Sequence, residues 1–354
     1  MKITDRLLEK TKLIRYIKLV LAATIILLQA NYLSGCGVAS EERNFFAMDT
    51  YMTIVCYGDD AKEAVDEAVD RINELDNLFS VGKDTSEVSI INNEKTLIAS
   101  DEMIDVISRS IDIYKKTNGA FDITVKPLVD LWGFATGELY VPSKDEINRY
   151  LDVTGIDDIY IEETASKIDI GTNQKVDLGG IAKGYATDEV KEILDRHDIK
   201  SAYMSLGGNV YCYNRKIDGS KWTIGITNPT TNSQNTCFAT VEVIDRAVIT
   251  SGGYQRYLID EATNEKYIHI LDPYTGYPSK SDILSVTIIS TDATLSDALS
   301  TACYVMGKDN MIEYWKGSLD NFDFVIYTED DKVYASYGLV DAINSDMDII
   351  FVNK

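Results

Sequence analysis

The chain has 354 residues, 45% of them hydrophobic and 26% charged, and its formal net charge is −23. That length is enough for one large or two ordinary domains with a real core. So acidic a surface repels nucleic acid and anionic lipid headgroups, so an anionic ligand must be met by a local feature such as a divalent cation, a helix terminus or a single lysine.

The N-terminal segment runs against this acidic balance. A basic stretch ends at Lys18 and is followed by an apolar run over residues 19–28. At this length the run suits the hydrophobic region of a signal peptide better than a spanning helix, with a short signal anchor and an incidental cysteine as the alternative. Leu33-Ser34-Gly35-Cys36 comes next and resembles a bacterial lipobox. The expectation is a signal peptide over 1–35, lipid on Cys36, a tether over 36–45 and a folded domain over 46–354. The protein would then be lipid-anchored on the extracytoplasmic face of the cell membrane. The other cysteines, Cys56, Cys212, Cys237 and Cys303, form no CxxC pair. Cys56 and Cys303 lie in apolar runs and read as buried thiols. With only His197 and His269 besides, there is no zinc pattern.

Along the body, residues 52–57 read as a strand, and 60–78 carry Ala64, Val65, Ala68, Val69, Ile72 and Leu75 at helical spacing. Residues 79–93 read as a polar loop. Residues 101–117 form a second amphipathic helix, stopped by Asn118-Gly119, and 120–134 read as loop or short elements. Ser143 with Glu146 makes a capping box for a helix over 143–151. Residues 159–161 and 167–170 suggest a hairpin, and a helix is expected over 185–197. Strands then dominate, at 201–205, 210–213, 222–227, 236–243, 247–251, 257–259, 267–271 and 283–290. Helices over 294–306 and 310–316 precede final strands at 322–327, 333–336 and 349–352. The fold class is α+β, a helix-rich first part packed on a strand-rich second part and sharing one site.

Five constellations carry chemistry. Val176-Asp177-Leu178-Gly179-Gly180-Ile181-Ala182-Lys183-Gly184 places glycines at a turn into a helix. There, backbone can approach a phosphate or metal, and the helix N-terminus favours negative charge. Gly119-Ala120-Phe121-Asp122-Ile123-Thr124-Val125 sets an acid and a threonine after a helix stop, and Ser205-Leu206-Gly207-Gly208-Asn209 ends a strand in two glycines and an amide. His269-Ile270-Leu271-Asp272-Pro273-Tyr274-Thr275-Gly276 joins a strand to a turn. In a helix, Asp297 and Thr301 stand one turn apart on one face, and a carboxylate, a hydroxyl and a nearby carbonyl are hard oxygen ligands suited to Mg2+. Taken singly, each segment also reads as an ordinary turn, connection or capped helix.

Together, in this order, with Met48-Asp49-Thr50, Trp132-Gly133-Phe134 and Thr250-Ser251-Gly252, these segments resemble the ApbE-type FAD:protein FMN transferases over about residues 46–324. The resemblance implies the ApbE fold and transfer of FMN from FAD to a threonine or serine hydroxyl of another protein, with release of AMP. It implies flavin contacts at Met48, Phe79, Ala120, Phe121, Asp122, Asp177, Lys183 and Leu271. It also implies Mg2+ ligands at the Gly180 carbonyl, Asp297 and Thr301, with Ala182 the alternative main-chain ligand. Gly180 departs from the Ala, Ser or Thr frequent there, and Phe79 from a polar-tipped aromatic. Asp297 and His269 are candidate bases for the acceptor hydroxyl. The partners implied are FAD and acceptor proteins of membrane or extracellular redox systems. FAD hydrolysis to FMN and AMP, or flavin binding without catalysis, are the alternative readings.

Overall fold

A nine-stranded sheet organises the protein, in a computed structural model that describes residues 38–231, 236–254 and 256–354. The leader and Cys36 lie outside the described residues. From Ser40 to Lys354 the chain forms one unit.

The first strands, β1 (Ser40–Ala47) and β2 (Thr50–Gly58), are a hairpin. Helices α1 (Ala61–Phe79) and α2 (Glu87–Glu94) follow, then β3 (Thr96–Ile98), α3 (Asp101–Lys116), α4 (Lys126–Leu131) and α5 (Lys144–Leu151). After β4 (Tyr160–Glu162) and β5 (Lys167–Asp169) comes α6 (Ala182–Arg196). The strand-rich stretch is β6 (Ile199–Leu206), β7 (Asn209–Tyr213), β8 (Trp222–Thr227), β9 (Cys237–Val243), β10 (Arg246–Gly252), β11 (Tyr257–Ile259), β12 (Lys266–Ile268) and β13 (Ile283–Ser290). The chain closes with α7 (Ala293–Met306), α8 (Lys308–Gly317), β14 (Asp323–Thr328), β15 (Val333–Ser336), β16 (Ile343–Ser345) and β17 (Ile349–Val352).

The sheet order is β1-β2-β6-β7-β10-β13-β14-β15-β17, antiparallel except for the parallel β15–β17 pair. Its alternation explains the layers. Ala247, Ile249, Val286, Ile288, Phe324 and Ile326 face the helices, in one core with α1, α3, α6 and α7. Val248, Ile289, Val325 and Tyr327 face the opposite way, onto the small β16-β9-β8 sheet. Both faces of β13 are therefore covered, and it reads as a nearly continuous apolar run. Under α4 and α5 a smaller cluster gathers Leu128, Trp132, Phe134, Ile147 and Leu271.

The architecture is the expected mixed α+β, but its two parts interleave, because β1 and β2 join β6 in the same sheet. Several local expectations are corrected. Residues 40–45, expected in the tether, belong to β1 and pair with β2. The expected polar loop 79–93 contains α2, whose N-cap Ser86 accepts from the Ser89 N–H and whose Val88 and Ile91 are buried. Within 120–134, read as loop or short elements, α4 begins at Lys126 with Pro127 in its first turn, as that reading allows. The glycine-motif helix begins at Ala182, so Lys183 and Gly184 sit in its first turn. The strand expected at 267–271 ends at Ile268, and Leu271 makes only an isolated bridge to Pro278. The capping box on α5, the β4–β5 hairpin and the helix stop at Asn118-Gly119 are as expected. Cys56, Cys212 and Cys303 are buried thiols, and Cys237 is exposed.

Candidate active site

At one end of the sheet, the β1–β2 and β6–β7 hairpins turn side by side. Met48 and Asp49 have φ of 48° and 57°, positive at both central positions as a type I′ turn requires. Neither residue is glycine, so each carries about 1 kcal/mol of backbone strain, held at the rim of a cleft that Met48 and Asp49 both line. In the neighbouring turn Gly207 has φ 61°, and a Cβ there would stand 2.5 Å from Thr50. Only glycine lets the two turns pack so closely.

The glycine motif is held from two sides. The Asn92 carboxamide of α2 pairs with the peptide of Val176, donating to its carbonyl at 2.8 Å and accepting its N–H at 2.7 Å. Asp177 N–H donates to the Ile123 carbonyl at 2.7 Å, which ties the turn to the Ala120–Asp122 loop. Asp177 Oδ1 then accepts the Gly179 N–H at 2.8 Å and closes the turn.

Helix α7 presents Asp297 and Thr301 to this turn. Its start is fixed by the N-cap Asp292, whose carboxylate Arg109 grips through both oxygens, and by Asp188 of α6. The Asp188 carboxylate accepts the N–H groups of Ala293 and Thr294 and the Thr294 hydroxyl. Burial nonetheless dominates and pushes Asp188 up to about 6. Asp297 is 5% exposed. Its Oδ2 accepts the Gly184 N–H at 2.9 Å and lies 3.7 Å from Lys183 Nζ.

That contact has a consequence for the turn. In an unbroken helix the Gly184 N–H would go to the carbonyl of Gly180; here Asp297 takes it. The Leu178 carbonyl accepts from the Ile181 and Ala182 N–H groups, the Gly179 carbonyl from the Lys183 ammonium, and the Ile181 carbonyl from the Tyr185 N–H. Among the described residues, the Gly180 carbonyl accepts none of these bonds. A Cβ on Gly180 would stand 3.7 Å from Thr301 Oγ1 and 3.1 Å from the Phe121 ring. Between the two candidate main-chain ligands this favours Gly180, since Ala182 already lies inside α6.

The opposite wall is the segment after β12. Asp272 accepts from Gly276, Tyr274 and Thr275, and Trp132 Nε1 donates to the Gly276 carbonyl at 2.8 Å, so the turn is rigidly seated. It carries half-buried His269 and buried Leu271. His269 Nδ1 lies 2.9 Å from the Arg256 carbonyl. A carbonyl only accepts, so Nδ1 carries the proton and Nε2 keeps its lone pair. Burial, helped by the positive charges of Arg256 and Lys183, pushes this imidazole down to about 4. On the floor, Asp122 accepts from the Thr124 N–H and hydroxyl at 2.7 and 2.6 Å, and burial raises its pKa. Phe79, at the end of α1, packs edge-on against Tyr185.

All the residues singled out in the sequence, Met48, Phe79, Ala120, Phe121, Asp122, Asp177, Gly180, Lys183, His269, Leu271, Asp297 and Thr301, line one cleft of about 440 Å3. Ala182 lines it too. The cleft adds residues to which the sequence reading gave no role: Asp76, Arg256 and, from quoted motifs, Asn209, Thr250 and Ser251. Arg256 is an isolated residue with no motif around it, and only folding brings it beside His269. No three His, Cys, Asp or Glu side chains cluster as a metal site among the described residues.

Residues 48–326 match the model of the ApbE family. The FAD:protein FMN transferase of Vibrio cholerae is 32% identical over 275 residues, covering 76% of this chain and 81% of that protein. That of Escherichia coli K12 is 29% identical over 277 residues, 75% and 78% of the two chains. The crystal structure of the ApbE protein of Thermotoga maritima superposes with a TM-score of 0.76 at 32% identity, covering 83% of this chain and 96% of that one. With the fold, the cleft and the matched sequence in agreement, the chain belongs to the ApbE family.

Proposed function

We propose that the protein transfers FMN from FAD to a threonine or serine hydroxyl of an acceptor protein and releases AMP. The observation that carries this reading is the convergence, in one cleft, of a glycine turn with an uncommitted carbonyl, a buried acid paired with a lysine, and a neutral imidazole. The acceptor oxygen bonds to the FMN phosphorus, the bond from that phosphorus to the AMP phosphate breaks, and the hydroxyl proton goes to His269 Nε2. AMP leaves with the bridging oxygen. Such a transfer needs positioning and charge neutralisation rather than covalent chemistry from the protein.

The Gly180 carbonyl, Asp297 and Thr301 offer the hard oxygen set that suits Mg2+, and one carboxylate among neutral donors leaves coordination sites for substrate phosphate oxygens. Bound there, the ion would supply neutralisation of the diphosphate charge. Lys183 adds a positive charge beside Asp297, and Met48, Phe79, Phe121 and Leu271 offer apolar surface for the flavin.

Purified protein incubated with FAD, Mg2+ and a candidate acceptor tests this reading by AMP release and by the mass of the acceptor. AMP and a flavinylated acceptor, both dependent on the acceptor, support it. AMP without acceptor indicates an FAD pyrophosphatase, and no AMP a flavin carrier.

The free imidazole state of His269 predicts that kcat/KM stays level through pH 6.5 and falls only as pH approaches about 4. His269→Gln should lower transfer by roughly 10^2–10^4-fold while FAD still binds. A limb near pH 6.5 that persists in His269→Gln assigns the proton to another group. The same shift acts on stability. The folded-state pKa lies below the ordinary 6.5, so His269 contributes stability above pH 6.5 that is lost as pH falls towards about 4.

The lipobox reading of Leu33–Cys36 belongs to this proposal, with acceptors in membrane or extracellular redox systems. Wild-type protein expressed in a bacterium should incorporate labelled fatty acid, and Cys36→Ser should not. Absence of label on the wild type rules out the anchor.

A further inference from the structure

Asn209 is the first residue of β7, directly after the Gly207-Gly208 turn. It is 4% exposed, and its side-chain Nδ2 has no hydrogen-bond partner. Two other buried side-chain atoms share this state among the described residues, the hydroxyls of Ser201 and Tyr211, and neither residue lines the cleft. Asn209 does. A buried amide donor left unpaired carries a desolvation cost that native proteins rarely accept without a reason.

Its position supplies one. On one side Gly207 packs against Thr50, next to the strained Met48-Asp49 turn. On the other, Val210 pairs with Val248, so Asn209 stands beside Ile249, next along the chain from Thr250 and Ser251. The Ser251 hydroxyl lies 2.7 Å from that of Ser300, the neighbour of Thr301 on α7. Asn209 thus lines the cleft between the turn that presents Met48 and the helix that presents Thr301.

We propose that Asn209 is a further substrate-binding residue, donating a hydrogen bond from its carboxamide to an oxygen of bound FAD. The inference rests on the FAD reading above. The acceptor oxygen belongs either to the ribityl-flavin half or to the diphosphate-adenosine half of the dinucleotide. A carboxamide donates to both, and a carboxylate at the same place donates to neither.

The test compares wild type, Asn209→Asp and Asn209→Leu by titration with FAD, riboflavin and ADP, alongside thermal unfolding with and without FAD. Both replacements are close in size to Asn. Asn209→Leu should weaken FAD about tenfold and shrink the rise in Tm caused by FAD. Without ligand it should unfold no earlier than wild type, because it removes an unpaired donor. Asn209→Asp should weaken FAD further, since a carboxylate faces an oxygen. A parallel loss for riboflavin puts the contact on the flavin half, and a loss for ADP with riboflavin unchanged puts it on the diphosphate half. Unchanged FAD affinity in both variants, against a wild type that binds FAD, overturns the role of Asn209 alone. So does a fall in ligand-free Tm with no change in affinity. A wild type that does not bind FAD overturns the flavin reading itself, and this inference with it.

Discussion

Asp297→Ala is expected to abolish measurable FMN transfer, by roughly 10^2–10^3-fold or more, the loss that follows removal of one preorganised charge-stabilising group. Two effects combine. The variant removes the one carboxylate among the proposed metal ligands, and it releases the Gly184 N–H, which Asp297 now holds at 2.9 Å. The freed N–H can close onto the Gly180 carbonyl as an ordinary helical bond, committing the oxygen proposed to face the ion. Asn at 297 separates the effects, because its carbonyl still accepts from Gly184 while its charge is gone. Asp297→Asn should therefore fold like wild type and fall between wild type and Asp297→Ala in rate. Thr301→Ala, which removes a neutral ligand, should cost less than either. Initial rates of AMP release across a Mg2+ titration measure all three. Full Mg2+-dependent transfer by Asp297→Ala, or a wild-type rate indifferent to EDTA, would end the metal assignment.

Gly184→Ala should damage the site without touching a ligand. A Cβ on Gly184 would lie 2.3 Å from the Ala293 carbonyl oxygen, 2.7 Å from Asp297 Cβ and 2.8 Å from Thr294 Cα. Two of these neighbours are backbone, so the clash cannot be relieved by a rotamer change, and α6 and α7 must move apart. Overpacking of this kind costs about 1–3 kcal/mol, to be read from urea unfolding. The displacement also pulls Asp297 from Lys183 and from the glycine turn, so transfer should fall further than stability. Gly180→Ala is the control. The atoms nearest its Cβ would be side-chain ones, the Phe121 ring at 3.1 Å and Thr301 Oγ1 at 3.7 Å, so the helices keep their spacing and the fold should hold. Equal stability of Gly184→Ala and wild type would show that the two helices are not packed as closely as described.

Much of this was legible in the linear chain because the signals are local. The apolar run of β13, the 3.6-residue period of α1 and α3, the capping box of α5 and the Asn118-Gly119 stop each depend on residues within a few positions of one another. The order of short motifs was equally local, and it pointed to the ApbE resemblance and to twelve residues that do line one cleft. Helix α2 was missed because Ser-Glu-Val-Ser-Ile-Ile-Asn-Asn is polar in composition. Its Ser86 cap and its buried Val88 and Ile91 matter only once α1 and the glycine turn give them something to pack against. The same helix then supplies Asn92, which holds Val176 across 84 positions. No reading of spacing reveals that the Gly184 N–H goes to Asp297, that Nδ1 of His269 is spoken for by a carbonyl, or that Asn209, which lines the cleft, keeps an unpaired buried donor. Those are properties of atoms brought together from distant parts of the chain. Sequence by itself determined which residue types were available and where the elements run. The tertiary structure decided which donors and acceptors satisfy one another, and which are left to face a substrate.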